Sequence, residues 1–180
     1  MGIKINPLAG IELDEKIIRF GMTKDDLVTV LGRPFGYYET GQQGASRVTQ
    51  LFYYGNALRF DFNAAGRLVF IEFLSGYGGS LQPEIYGVSA FAVQADELLD
   101  ILRQRNHGAV VDREHGYGYA FPNIGIGIYR ESMPEDIAEM EQEAKEEGTV
   151  LREEEYQTAL QKAIHWATIG LGEKDYYAAG

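Results

Sequence analysis

A short helix with a marked start is encoded by the string GMTKDDLVTVLGRP, residues 21–34. Thr23 is a natural N-cap, and Asp26 three residues later takes the place of the glutamate in a capping box. Met22 and Leu27 occupy the two positions of a hydrophobic staple. A glycine and a proline at the end of the string supply the stop signal. The string therefore predicts a helix that begins after Thr23 and ends before that glycine.

The residues that follow alternate as in a β-strand. Leu58, Phe60 and Phe62 are separated by Arg59 and Asp61. A period of two puts the three apolar side chains on one face of a sheet and the two charges on the other. An earlier strand, a hairpin loop and a return strand are indicated at 51–54, 63–66 and 68–74. The helix is thus followed by an antiparallel meander.

The second half of the chain repeats this order. Residues 94–102 align with residues 23–31 at an offset of 71, with one Asp and two Leu identical. Three strand candidates follow, at 109–112, 117–121 and 124–130. Residues 75–80, rich in glycine and serine, are typical of a flexible joint. The sequence therefore predicts an α+β fold in which two helix-plus-antiparallel-sheet units stand in tandem, over 1–76 and 77–133.

The remaining residues, 134–180, are predicted to form helices that have no counterpart in either unit. An acidic helix over 134–147 has a narrow apolar stripe, so we expect it to be mostly solvated. A second helix has apolar residues at three- and four-residue spacing, which is typical of a face packed on the body of the domain. The stripe consists of Ile137, Met140 and Ala144, and the packed face of Tyr156, Ala159, Leu160, Ala163, Ile164 and Ala167.

Composition limits the classes of function. The chain has 180 residues, no cysteine and a net charge of −11. Without cysteine there is no disulfide, thiol nucleophile or thiolate metal site, which fits a reducing compartment and makes the cytoplasm the expected location. No segment approaches the roughly 18 to 20 apolar residues that span a bilayer, and the first residues lack the apolar run of a signal peptide. Nucleic acid is not expected as a partner, because phosphates are bound by clustered Lys and Arg.

The Gly-Met-Thr-x-x-x-Leu-x-x-x-Leu-Gly-x-Pro pattern of 21–34 resembles the helical entry of the small outer-membrane assembly lipoproteins of the SmpA/OmlA type. The same unit occurs in tandem in the β-lactamase inhibitor proteins, which the suspected duplication resembles. Residues 112–130 are similar in style to bacterial immunity proteins that neutralise a co-encoded toxin. The lipoprotein cysteine and the inhibitors' disulfide cysteines are absent. The resemblance implies a β-lactamase-inhibitor-like fold and a protein partner, but it maps no contact residue.

Tyrosine is abundant, at twelve residues. Tyrosine rings offer contact area at little entropy cost and add a hydroxyl, which suits protein interfaces. The same residues could simply edge the core and the sheet. The candidate interface residues are Tyr37, Tyr38, Tyr53, Tyr54, Tyr117, Tyr119 and Tyr129.

The negative charge is concentrated in one segment. Residues 131–155 contain eleven acids against two bases, so the rest of the chain carries only about −2. The segment could be a solvated helix, attract a basic partner, or imitate nucleic-acid charge toward a nuclease toxin. The candidate acidic-surface residues are Glu139, Glu143, Glu146 and Glu147.

One group of residues is a candidate for catalysis. Asp112, Glu114 and His115 crowd together and could pair as acid and base, although a charged turn between two strands gives the same string. The three histidines do not have the spacing of metal ligands, and the glycines at 116–118 and 125–127 lack phosphate-loop spacing. Alternation explains these glycines better: they leave one sheet face bare, so that a helix or a partner can approach closely. Neither a cofactor nor a metal is expected.

The leading hypothesis is a non-enzymatic cytoplasmic protein-binding module, with toxin neutralisation as its most concrete form. It depends on the tandem unit, the tyrosine-rich strands and the lack of a catalytic constellation. Two alternatives stay open. One is a small-ligand binder or small enzyme with a pocket near Asp112, Glu114 and His115, and the other is a structural homodimer that pairs through sheet edges.

Overall fold

A computed structural model describes residues 1–40, 48–149 and 152–178. Within these residues the chain is α+β, with four α-helices and two sheets. The helices are α1 (Lys24–Leu31), α2 (Ala95–Asn106), α3 (Pro134–Glu146) and α4 (Glu153–Ala163). The strands are β1 (Ile3–Asn6), β2 (Gly10–Leu13), β3 (Lys16–Arg19), β4 (Gly36–Thr40), β5 (Val48–Tyr53), β6 (Leu58–Phe62), β7 (Leu68–Phe73), β8 (Glu84–Ile85), β9 (Val88–Ser89), β10 (Val111–Asp112), β11 (Gly118–Phe121), β12 (Ile126–Tyr129) and β13 (Thr168–Gly172).

The larger sheet has eight strands in the order β10-β11-β12-β13-β7-β6-β5-β4, all paired antiparallel. Its two halves come from the two halves of the chain. They meet where β13 pairs with β7, with Gly170 opposite Glu72. The smaller sheet has the order β3-β2-β1-β8-β9.

Helix α1 begins with the predicted capping box. The Asp26 backbone N–H donates to Thr23 Oγ1 at 3.1 Å, and the Thr23 backbone N–H donates to an Asp26 carboxylate oxygen at 2.9 Å. These bonds from Thr23 hold the pKa of Asp26 below its usual value. Leu27 is fully buried, and Met22 packs against the core. The predicted helix is confirmed at both ends.

One face of the larger sheet forms the core. Leu58, Phe60 and Phe62 of β6 are buried, as their alternation predicted. They belong to one cluster that also contains Leu98 and Leu102 of α2, Leu27 of α1 and the apolar residues of the small sheet. We call this side of the larger sheet the core face and the opposite side the outer face.

Several strands were not predicted from the sequence. The small sheet and β4 are among them, as is β13, which lies at the centre of the larger sheet. Strands β8 and β9 have only two residues each, too few to give a strand signal in the sequence. They pair with each other, and Glu84 of β8 lies beside Lys4 of β1. The predicted strand at 124–130 starts later, because Pro122–Ile124 is a 3-10 turn that ends at the left-handed Gly125.

The C-terminal helices pair with each other. In α3, Ile137 is buried while Met140 is 38% exposed, so most of this helix is solvated as expected. The face of α4 expected to pack on the body is buried only at Ala163, and its other helical members are half-buried. Ala167 lies beyond the helix end, in the connection to β13. The predicted face is thus the less exposed side of α4, with Ala163 as its buried member.

The expected flexible joint at 75–80 is a hydrogen-bonded turn. Ser75 Oγ donates to the Leu81 carbonyl at 2.6 Å, and the Gln82 side-chain amide donates to the carbonyls of Gly76 and Gly79. None of the helices in the described ranges has the length and apolar character needed to cross a membrane.

Candidate functional site

The outer face of the larger sheet differs chemically from the core face. Side chains of directly paired residues share a face in an antiparallel sheet, so the strand register identifies its members. Helices α1 and α2 lie on the opposite, core side of the sheet. The residues of the outer face are Tyr38, Gln50, Phe52, Arg59, Asp61, Phe70, Glu72, Gly118, Ala120, Gly127, Tyr129, Thr168, Gly170 and Gly172.

Three charged side chains form a cluster at the middle of the outer face. Arg59 Nε lies 3.0 Å from Asp61 Oδ1, and Arg59 Nη2 lies 3.0 Å from Glu72 Oε2. Apart from this ionic contact, Arg59 Nε and Asp61 Oδ1 have no hydrogen-bond partner. The Gln50 amide donates to the other Asp61 oxygen at 3.2 Å. We call Arg59, Asp61 and Glu72 the charged cluster.

Burial dominates the electrostatics of this cluster. Burial raises the pKa of Asp61 above 3.8 and that of Glu72 above 4.5, and the facing Arg59 offsets only part of each change. Relative to the unfolded chain, the folded protein therefore disfavours ionisation of these two carboxyl groups.

The Asp61→Asn variant tests this. A carboxyl with a raised folded-state pKa keeps more protons in the folded state, so its ionisation lowers stability as the pH rises from 3.8 to the folded-state pKa. We expect the free energy of unfolding of the variant, relative to the wild type, to rise through this window and then stay constant. Urea unfolding from pH 3.5 to pH 7 measures it, with the exposed Glu84→Gln as control. A difference that falls with pH would mean that Arg59 outweighs burial.

The C-terminal segment lies across the outer face. The Tyr176 ring stacks on Phe70 with centroids 4.8 Å apart, and Tyr177 meets the same ring edge-on at 6.4 Å. The Glu173 backbone N–H donates to the Val69 carbonyl at 3.0 Å. Burial raises the pKa of both tyrosines, most strongly that of Tyr177. Residues 173–178, which we call the C-terminal strap, therefore cover part of the charged cluster.

Glycines make room for the strap. A Cβ atom on Gly127 would lie 2.4 Å from Tyr177 Oη, and one on Gly170 would lie 2.8 Å from the same atom. A Cβ atom on Gly172 would lie 2.4 Å from Tyr176 Cβ. The bare sheet face expected at Gly127 thus accommodates the chain's own tyrosines, for which the sequence offered no signal.

Beside the strap the outer face contains a cavity of about 120 Å³. Its floor includes Gly118, Gly127 and Gly170, and Tyr129 and Tyr177 are among its walls. Arg113 and Glu114 line its rim and Glu72 lines its inner end.

The proposed acid–base group does not assemble at this cavity. Asp112 Oδ1 accepts hydrogen bonds from the backbone N–H groups of Glu114 and Gly116, at 3.2 and 3.0 Å. Its carboxylate therefore stabilises the turn between β10 and β11. Of the three residues, Glu114 lines the cavity, while Asp112 and His115 are exposed and do not. In the described residues, moreover, no group of three or more His, Asp or Glu could hold a metal ion.

The seven candidate tyrosines do not form one surface. Tyr53 is buried in the core and its hydroxyl donates to the Gly32 carbonyl at 3.0 Å. Tyr119 is half-buried on the core face, edge-on to Trp166. Tyr117 is also half-buried and its hydroxyl donates to Asp136 of α3 at 2.7 Å. These three stabilise the fold and do not join an exposed patch.

The other four tyrosines are exposed. Tyr38 and Tyr129 lie on the outer face, with 58% and 37% of their surface exposed. Tyr37 points to the opposite side of β4, where the Lys24 ammonium lies 5.3 Å from its ring centre, and Tyr54 follows β5. The four acidic candidates are all exposed, three along α3 and Glu147 directly after it. Sequence reasoning missed Phe52, Phe70, Tyr176 and Tyr177 as aromatic residues of the outer face.

Relatives do not assign a role to these residues. Comparison of the chain with models of protein families, with curated proteins and with solved structures finds no match in any of the three. The outer face therefore has to be interpreted from its own chemistry.

Proposed function

We propose that the chain is a non-enzymatic protein-binding module whose partner docks on the outer face. The observation that carries this proposal is a broad antiparallel sheet whose outer face is partly covered by the C-terminal strap. This face presents Tyr38, Tyr129 and Tyr176 to solvent around a charged cluster. Exposed tyrosine rings are enriched in protein interfaces and often contribute most of the binding energy there.

The charge of the chain indicates the kind of partner. The net charge is −11, and the exposed glutamates of α3 carry much of it. An acidic surface attracts a basic protein and speeds its association. A basic toxin in the cytoplasm, neutralised by this chain as an immunity protein, is the most concrete form of the proposal.

The order of the elements supports a tandem origin of the fold. Helix α1 is followed by β4 to β7, and α2 is followed by β10 to β13, with α3 and α4 inserted before the last strand. The last strands of the two sets pair at the middle of the sheet. We propose that the two sets arose by duplication, which matches the tandem unit of the β-lactamase inhibitor proteins that the sequence resembles.

Co-expression tests the function. Cells that produce the protein encoded beside this one should grow only when the chain is also present. The Tyr38→Ala, Tyr129→Ala double variant should lose this protection, because an interface tyrosine contributes about 2 kcal/mol or more, roughly thirtyfold in affinity. Tyr77→Ala is the matched control, since Tyr77 is 44% exposed but stacks on His165 away from the outer face.

Two results would contradict the proposal. Full protection by the double variant would exclude the outer face as the binding surface. Absence of both protection and a complex between the purified proteins would exclude the function. Light scattering of the chain alone decides the homodimer alternative, because a dimer that the double variant dissociates would place a second copy on this face.

A further inference from the structure

We propose that the cavity beside the C-terminal strap receives the guanidinium group of an arginine from the partner. This inference rests on the proposed function and names the chemistry that the outer face recognises.

The volume matches the end of one side chain. A cavity of about 120 Å³ has room for several water-sized groups, since about 10–15 Å³ of cavity space on this measure holds one water. A guanidinium has one carbon and three nitrogens. Drug-sized ligands occupy cavities of about 300–1,000 Å³. The room is therefore suited to a projecting side chain rather than to a free metabolite.

The walls suit a flat cation. The glycine floor brings the backbone close, and a Cβ atom on Gly118 would lie 3.6 Å from the Tyr129 ring and 3.8 Å from the Glu114 side chain. On the other side Tyr177 lies above Gly127. Aromatic faces and carboxylates together bind a guanidinium better than an ammonium, because the planar group stacks and donates in a fork.

The charged side chains in and beside the cavity have a net charge of −1, which favours binding of a cation. Asp61, Glu72 and Glu114 contribute three negative charges, and Arg59 and Arg113 two positive ones. Arg113 is exposed, and its guanidinium carbon lies 5.8 Å from the centre of the Tyr177 ring. The free protein thus already places its own guanidinium against this wall. An incoming arginine would compete with Arg113 for the same ring.

NMR titration of the full chain tests the site without its partner. The probe is Nα-acetylarginine amide, and the control probe is its uncharged isostere, Nα-acetylcitrulline amide. We expect the arginine probe to shift the amide signals of Gly118, Gly127 and Gly170 at millimolar concentration, and the citrulline probe to leave them unchanged. Equal responses to both probes, or no response at these glycines, would overturn the proposal.

Two exposed residues provide the matched variants. Glu114→Gln should weaken binding of the arginine probe by about two- to fivefold, the effect of one exposed ion pair. Arg113→Ala should strengthen it by a similar factor, because it removes the competing cation, and Glu84→Gln on β8 should change nothing. Weaker binding in Arg113→Ala would overturn the proposal. Shifts with inorganic phosphate that Arg113→Ala abolishes would instead identify an anion site.

The outcome separates this inference from the proposed function. If a partner binds the outer face but the arginine probe does not enter the cavity, the inference fails and the function stands. If the probe binds and no protein partner exists, the function fails while the cation site remains.

Discussion

Replacing Trp166 with alanine is expected to lower the free energy of unfolding by about 3–5 kcal/mol, the range found for large-to-small changes at buried aromatic residues. Trp166 is 1% exposed and its ring lies edge-on to Tyr119. The Arg130 guanidinium lies 5.1 Å from the centre of the same ring. Trp166 joins the start of α2 to the connection between α4 and β13.

The hydrogen bond of Trp166 explains why the position is sensitive. Its Nε1 donates to the Ala95 carbonyl at 2.9 Å, and the Ala95 N–H donates to the Ile164 carbonyl at 2.8 Å. The first residue of α2 is thus bound twice by residues just before β13. Trp166→Phe retains most of the packing and removes the bond to the ring nitrogen, so it should cost only about 1–2 kcal/mol.

Urea unfolding followed by far-UV circular dichroism measures both variants. Fluorescence is unsuitable, since Trp166 is the only tryptophan of the chain. A cost of less than 1 kcal/mol for Trp166→Ala, or equal costs for the two variants, would contradict the role assigned to the ring.

Gly10→Ala should have a similarly large effect. Gly10 begins β2 with a φ of +136°, and an added Cβ atom would lie 2.0 Å from the Ile18 carbonyl oxygen of β3. The contact is with backbone, so no side chain can move aside. Strain and overpacking of this kind cost about 1–3 kcal/mol each, so we expect a loss of about 2–6 kcal/mol.

Gly87→Ala is the matched control for Gly10→Ala. Gly87 lies in the turn between β8 and β9 of the same small sheet with a φ of +87°, and a Cβ atom there would meet no neighbour within 4 Å. It should cost only about 1–2 kcal/mol, from the backbone conformation alone. Thermal unfolding compares the two variants. Equal melting temperatures would show that the close contact between β3 and Gly10 does not make the substitution more destabilising.

Local signals explain which parts of the fold the sequence predicts. The cap at Thr23 and the alternation along β6 depend on neighbours within a few residues, and both were interpreted correctly. Strand β13 depends on pairing with β7, nearly one hundred positions away in the chain. Its sequence, TIGLG, has too few large side chains for a clear signal. A strand that depends on such distant pairing cannot be predicted from the local sequence.

The same distinction applies to the candidate site. Alternation placed Arg59 and Asp61 opposite the core, and these residues are indeed on the outer face. Tyrosine content alone could not separate Tyr38 from Tyr53, because residue type does not report burial. The position of Tyr177 over Gly127 could not be predicted from the local sequence, because it depends on the path of the chain after β13.

The position of β13 has a consequence for synthesis on the ribosome. Strand β7 is complete once residue 73 has been made, but its antiparallel neighbour ends at Gly172. During translation one side of β7 therefore stays without its pairing strand while about one hundred further residues are added. Long-range pairing of this kind slows folding and leaves strand edges exposed to aggregation. The two halves can join into one sheet only after residue 172 has been made, so the completed sheet depends on β13.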